Sequence, residues 1–222
     1  MTSKEINLMT HNHEKTKRNY LERMNNSKVK CMIEAKKYEK NYWDGPRKFG
    51  YGGYTYIAGR WTNVAKKLIR KFNLKNTSKI LDVGCGKAFI LYEIKKILPS
   101  IDIVGFDISK HGIKNAPKEI KKNLFIQKAQ NKYNFGNKEF DLAISTGCFH
   151  NLKINELKFA LNEIQRVSKK TYIMVESYRN EKELFNLQCW ALTCESFFSK
   201  KEWLWLFKEF KYTRNYEFIF FS

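Results

Sequence analysis

The 222-residue sequence predicts an α/β chain: a three-layer α/β/α sandwich on a mostly parallel sheet of six or seven strands, preceded by an N-terminal helical and loop extension. Three observations predict it. Short runs of aliphatic residues alternate with stretches whose apolar residues recur at helical spacing, the pattern of strands joined by crossover helices. The short runs are nearly continuous in apolar residues, as strands covered on both faces must be. A glycine-containing turn leads from the first of these strands straight into a helix.

Residues 1–40 are polar and rich in Lys and Asn, and their scattered apolar positions (Tyr20, Leu21, Met24; Val29, Met32, Ile33) fit one or two short helices with a frayed start. Residues 42–61 differ. Five glycines and a proline exclude a regular helix there, and seven aromatics exclude a plain solvated linker. Such a segment is either a loop that packs its rings onto the domain or a lid over a ligand. From Trp61 the spacing of Trp61, Val64, Ala65, Leu68, Ile69 and Phe72 predicts a helix. Residues 79–83 then read as a strand, and Ile90, Leu91, Ile94, Ile97 and Leu98 mark the face of the helix after it. Further strands are expected at 101–106, 124–128, 140–145, 171–176 and 216–221, and further helices at 109–121, 155–168 and 201–210. Pro117 should end or kink the helix that contains it. Two regions follow: a basic extension over 1–60, with the lid-like segment 42–61, and an α/β domain over 61–222.

Composition excludes several classes. Apolar residues make up 43% and aromatics 15%, so most of the chain should be folded. No apolar run is long enough to span a bilayer and no secretory h-region is visible, which makes a cytoplasmic location the expectation. The five cysteines (Cys31, Cys85, Cys148, Cys189, Cys194) form no Cys-x-x-Cys pair, so neither a disulfide framework nor a zinc site is expected. The histidines, including His11 and His13 in the polar tail, add no metal-ligand pattern. The formal charge of +20 fits either a polyanionic partner or a biased composition rich in Lys, Asn and Ile. It is uneven. Residues 1–79 carry 19 basic and 6 acidic side chains, net +13, against 23 and 16, net +7, in the rest. Any anionic partner should touch the N-terminal part.

The informative stretch is Ile80-Leu81-Asp82-Val83-Gly84-Cys85-Gly86-Lys87-Ala88. Gly84 and Gly86 let the backbone turn sharply and approach a ligand closely, and the following helix aims its amide-rich end at the same spot. Asp107, at the end of the next strand and 25 residues after Asp82, is placed to accept hydrogen bonds from ribose hydroxyls. This arrangement resembles motifs I and II of the class I S-adenosylmethionine (SAM)-dependent methyltransferases, a Rossmann-like family. Asp82, Gly84 and Gly86 match its acidic-x-Gly-x-Gly-x-Gly pattern, and Ala88 stands at the third glycine. The resemblance implies SAM as cofactor, held by Asp82, Gly84, Cys85, Gly86, Asp107 and Ile108. It implies that residues 140–145 are motif IV, which brings in Ser145, and that the adenine lies near Ala129 and Gln130. Lys128 departs from the acid that many relatives carry there. Members commonly end in a β-hairpin that completes seven strands, but only twelve residues follow Phe210, so the sequence leaves open whether a seventh strand is present.

Methyl transfer from a sulfonium needs an aligned nucleophile, exclusion of water and, for many nucleophiles, a base. Those groups should follow the fourth and fifth strands of the domain. His150 is the candidate general base, since its ordinary pKa is near neutrality, although a structural histidine is also possible there. Glu176 could bind an acceptor hydroxyl or amine, or instead pair with Arg179. Tyr51, Tyr54, Tyr178 and Arg179 are candidates to bind substrate, and Arg60 to pair with the carboxylate of SAM. The stretch Ser145-Thr146-Gly147-Cys148-Phe149-His150 lacks the Asn/Asp-Pro-Pro-Tyr/Phe typical of adenine and glutamine amino-methyltransferases. Cys194 has no Pro-Cys partner, as a cytosine-C5 enzyme would need. The expected activity is methylation at O or N of a small or medium-sized acceptor such as a sugar, lipid headgroup or metabolite. An RNA methyltransferase that uses the basic N-terminal region is the second reading, and a non-catalytic SAM-binding protein the third.

Overall fold

A computed structural model describes residues 3–10, 13 and 16–222; His11 lies outside them. The elements are β1 (Lys4–Glu5), α1 (Tyr20–Asn25), α2 (Lys28–Ala35), α3 (Lys40–Trp43), α4 (Thr62–Phe72), β2 (Lys79–Val83), α5 (Phe89–Ile97), β3 (Asp102–Asp107) and α6 (Lys110–Lys114). They continue with β4 (Leu124–Ile126), β5 (Phe140–Thr146), α7 (Ile154–Val167), β6 (Ser168–Glu176), α8 (Glu181–Trp190), α9 (Lys200–Glu209) and β7 (Asn215–Ile219). The seven strands lie in the order β1-β7-β6-β5-β2-β3-β4, and every pairing is parallel.

Alternation along the strands builds the three layers. Ile80, Leu142, Ile144, Tyr172 and Met174 face one side, against Val64, Ala65, Leu68 and Phe72 of α4, Leu91 and Ile94 of α5, and Leu187 of α8. Leu81, Val83, Ala143, Ile173 and Val175 face the other, against Leu157, Leu161 and Ile164 of α7 and Trp203, Leu206 and Phe207 of α9. A period of two on strands, matched to apolar helix faces, is the physical content of the fold.

Helix α8 is not among the elements the sequence predicts, and one predicted helix is shorter than expected. The helix expected over 109–121 stops at Lys114, ahead of Pro117, whose ring cannot continue the i−4 ladder. The sheet has the larger of the two strand numbers the sequence allows, and its seventh strand is N-terminal: Lys4 and Glu5 pair with Asn215 and Tyr216 on the outer edge of β7. Among the described residues no terminal hairpin forms, because β7 runs parallel to β6.

One buried carboxylate fastens this edge. Glu217, on β7, accepts the backbone N–H groups of Leu8 (2.6 Å), Met9 (2.9 Å) and Thr10 (2.5 Å), the Thr10 hydroxyl (2.5 Å) and the Tyr172 hydroxyl (2.6 Å). The N-terminal strand is thereby tied to the sheet, and Met9 and His13 are brought to the carboxyl-terminal ends of the strands. No helix among the described residues is long and apolar enough to cross a membrane.

Candidate functional site

The turn after β2 is built on left-handed backbone. Gly84 has φ 76° and Gly86 φ 57°, and the amides of Gly84 and Cys85 both donate to the Phe106 carbonyl at the end of β3. Ala88, where the family pattern has glycine, is also left-handed (φ 55°) and caps α5. An L-residue there carries strain that glycine avoids. A Cβ on Gly84 would meet Cys148 Sγ at 2.5 Å, and one on Gly86 would meet the Trp43 indole at 2.5 Å. The glycines are therefore required by neighbouring side chains of the protein itself.

Asp82 and Asp107 share this turn but differ in their partners. Asp107 accepts from the amides of Gly86 and Ser109, both at 2.8 Å, so it braces the turn. Asp82 is buried and its Oδ1 has no hydrogen-bond partner among the described residues. Burial, then the nearby Asp107 charge, pushes its carboxyl up from 3.8 to about 8. Because the folded value is raised, the stability this group contributes is complete below the ordinary value and is lost as pH rises towards 8. An unpartnered acid of this kind is matched to an incoming cation.

A cavity of about 470 Å³ opens above the carboxyl ends of β2, β5 and β6. Its floor is Asp82, Gly84, Cys85 and Gly86 on one side and Thr146, Gly147, His150 and Glu176 on the other. In open parallel sheets this is where ligands bind. The His150 and Glu176 groups are adjacent: Nε2 of the histidine lies 3.5 Å from Oε2 of the glutamate. His150 Nδ1 accepts the backbone N–H of Glu176 at 3.2 Å. That bond fixes the tautomer, so the remaining N–H points towards the carboxylate. Burial holds the His150 imidazole below its ordinary value, with Glu176 opposing weakly, so it is neutral. Burial also pushes the Cys148 and Cys194 thiols up, which keeps both protonated and unsuited to nucleophilic attack.

The aromatic segment roofs this cavity. Trp43 is buried, and its Nε1 is within donating distance of Ser109 Oγ (2.8 Å) and the Tyr38 carbonyl (3.0 Å). Its ring stacks on Tyr51, and a chain of contacts runs through Tyr54 to Phe89 and Tyr56. Charge pins the segment as well. Asp44 accepts Lys87 Nζ at 2.6 and 2.7 Å and faces His111 Nε2 at 2.7 Å. Glu93 on α5 accepts the hydroxyls of Tyr56 and Thr62 on either side of Arg60.

Of the residues chosen from sequence, the structure brings Arg60, Tyr51, Tyr54, Asp82, Gly84, Cys85, Gly86, His150 and Glu176 together on the cavity wall. Asp107 lies directly beneath Gly86. Ile108, Ala129 and Gln130 sit beyond β3 and β4 and off this wall; Ile108 is exposed and Ala129 buried. Ser145 points inward, donating to the Val83 carbonyl at 2.9 Å, and locks β5 to β2. Tyr178 and Arg179 lie outside the cavity. Arg179 is held by Glu183, one helical turn on, and stacks on Phe220. Sequence reasoning missed Arg18, Arg23, Arg47 and Trp190, which also line the cavity.

Residues 74–211 match a family model described as a methyltransferase domain. The chain belongs to the class I SAM-dependent methyltransferases. Its cofactor is accordingly SAM. The ribosomal RNA small subunit methyltransferase C of Buchnera aphidicola is 33% identical over 94 residues, which make up 41% of this chain and 28% of that protein. The match thus spans less than a third of that relative's length. Among solved structures, a chain from the complex between the Haloferax volcanii Trm112 methyltransferase activator and a methyltransferase superimposes with a TM-score of 0.52. It is 16% identical, over 70% of this chain and 77% of that one. The YcgJ protein of Bacillus subtilis gives 0.50 at 17% identity, over 66% of each chain. At these identities the likeness is one of fold.

Proposed function

We propose that this methyltransferase acts on O or N of a small or medium-sized acceptor, such as a sugar, lipid headgroup or metabolite, held between the motif I turn and Glu176. The observation that carries this reading is the single cavity that joins an unpartnered, buried Asp82 to the His150–Glu176 pair beneath an aromatic roof. A cavity of about 470 Å³ suits a small ligand better than a folded nucleic acid. When bound, SAM supplies an electrophilic methyl group.

The protein's own residues divide the work. Asp82 holds the ammonium of the methionine half of SAM, and Arg60 its carboxylate. Asp107, with Ile108, Ala129 and Gln130 beyond it, borders the nucleoside half. Glu176 takes the acceptor's proton at its carboxylate. His150 positions that carboxylate, because its Nδ1 is occupied by an amide and its free N–H faces the acid. Residues 1–60 form an extension that roofs the cavity and adds the edge strand β1, and 61–222 form the transferase domain.

Glu176→Gln keeps the shape and removes the acceptor charge. With any acceptor found by screening labelled SAM, kcat should fall by a factor on the order of 10²–10⁴, the usual range for a lost general base. Affinity for S-adenosylhomocysteine should stay within about twofold. His150→Ala should cost less than Glu176→Gln. The reverse order in single-turnover rates would make His150 the base.

An RNA acceptor is the second reading, favoured by the Buchnera relative's name and by the net +13 of residues 1–79. RNA binding that disappears by moderate salt, with no methyl incorporated into RNA, supports the small acceptor. Salt-resistant binding with incorporation supports RNA.

A further inference from the structure

The chain has 34 lysines and only 8 arginines, yet among the described residues the cavity wall carries four arginines, Arg18, Arg23, Arg47 and Arg60, and no lysine. Two carboxylates, Asp82 and Glu176, share that wall. Arg60 faces Tyr54, as Asp82 also does, at the motif I end. The other three converge elsewhere. The guanidinium carbons of Arg18, Arg23 and Arg47 lie 5.4, 4.8 and 5.0 Å from the centre of the Trp190 ring, at the end of α8. Guanidinium groups stack on indole faces in this way, and their planar forks match carboxylate and phosphate oxygens.

No described residue neutralises these three charges. Among the described residues none makes an ion pair with a carboxylate. Arg23 donates to the carbonyls of Trp190 and Arg47, and Arg47 to that of Gly50. Arg18 donates to the carbonyls of His13 and Thr16, and its buried Nε has no partner among the described residues. Burial, and then the Arg47 charge, lowers Arg23 from 12.5 to about 10, the mark of cations crowded without an anion. His13, which faces Arg18 on the same wall, is lowered to about 4 by burial and then by the Arg18 charge, so it adds no charge of its own at neutral pH. SAM brings one carboxylate and two cationic centres, so it leaves this cluster uncompensated.

We propose that Arg18, Arg23 and Arg47, gathered on Trp190, form an oxyanion subsite, and that the methyl acceptor is a small molecule bearing a carboxylate or phosphate group. This rests on the reading of the cavity as the methyl-transfer site and names its substrate class. The anion is gripped at the Trp190 end and the nucleophile is turned towards Glu176, which restricts methylation to acceptors that carry both groups.

The test is calorimetric titration of the full chain, free and loaded with S-adenosylhomocysteine, with inorganic phosphate and with benzoate, against chloride at matched ionic strength. Saturable binding of at least one is expected. Tighter phosphate assigns a phosphorylated acceptor and tighter benzoate a carboxylated one. Arg23→Gln and Arg47→Gln should each weaken the anion about tenfold, with S-adenosylhomocysteine affinity within twofold, whereas Arg70→Gln on α4 should change neither. Arg47 is exposed, so its replacement tests the site even if Arg23→Gln disturbs local folding. Anion binding no stronger than chloride, or unchanged in the Arg47 variant, overturns the subsite. Failure to bind S-adenosylhomocysteine would instead overturn the reading of the cavity.

Discussion

Glu217→Ala should destabilise the fold by about 3–5 kcal/mol, because it leaves buried amides at Leu8 and Met9 and the buried Tyr172 hydroxyl without their acceptor. Each unsatisfied buried donor costs about 1–3 kcal/mol, offset in part by water entering at the sheet edge. For a chain of this size 1 kcal/mol is worth about 2–4 °C, so the melting midpoint should fall by roughly 10 °C. Hydrogen exchange should locate the damage. The amides of Leu8, Met9, Thr10 and β1 should lose protection first, ahead of those in β2 and β5. An unchanged midpoint would show that the N-terminal strand is held by other contacts.

Gly84→Val should abolish cofactor binding and cost about 3 kcal/mol or more of stability. Two effects add. A left-handed φ of 76° is strained for a β-branched residue, and the new Cβ would meet Cys148 Sγ at 2.5 Å and Cβ at 2.6 Å. The clash is with a protein side chain, so it operates with or without ligand. Gly84→Ala combined with Cys148→Ala removes only the contact with sulfur and should therefore recover part of the stability lost in Gly84→Ala alone, leaving the backbone strain and the 2.6 Å contact with the Cβ of residue 148. A Gly84→Val protein with a normal melting midpoint and normal affinity for S-adenosylhomocysteine would contradict this account of the turn.

The turn was legible because its determinants are local. Asp82, Gly84 and Gly86 lie within five residues of one another between a recognisable strand and helix, and Asp107 follows at the end of the next strand. What the spacing did not reveal was the use of the glycines, whose missing Cβ atoms make room for Cys148 and Trp43. Strand β1 was illegible for a physical reason. Lys4 and Glu5 have no apolar pattern, and their place depends on a carboxylate more than two hundred residues away, which grips the residues just after them. Helix α8 was missed because its apolar periodicity is weak. The sign that could have found it is Asn180, whose side chain caps the helix by accepting the Glu183 amide. Glu183 also explains why Arg179 left the site: a carboxylate at i+4 on the helix claims it. The arginine cluster is dispersed over residues 18, 23 and 47, and no spacing rule gathers it. Its trace in the sequence is the scarcity of arginine among many lysines.

The roof was open to two readings in the sequence, and its contacts give each of them substance. Rings from Tyr42 to Tyr56 pack on one another and on Phe89, as a scaffold would. The same segment is clamped at Asp44 by Lys87, which belongs to the motif I turn, so any ligand that moves the turn also acts on the roof.

The central claim is that this cavity binds SAM through motif I, with Asp82 meeting the ammonium group. Calorimetric titration of the full chain with S-adenosylhomocysteine at pH 7, in two buffers of different ionisation enthalpy, tests it most directly. Asp82 is pushed up to about 8 in the free protein, so an arriving cation should expel its proton. The account predicts one molecule bound per chain, release of close to one proton (~0.9 from a group of that pKa at pH 7), and affinity that rises between pH 6 and 8. It predicts about tenfold weaker binding, with no proton released, in Asp82→Asn. Absence of saturable binding by the folded wild-type chain would contradict it.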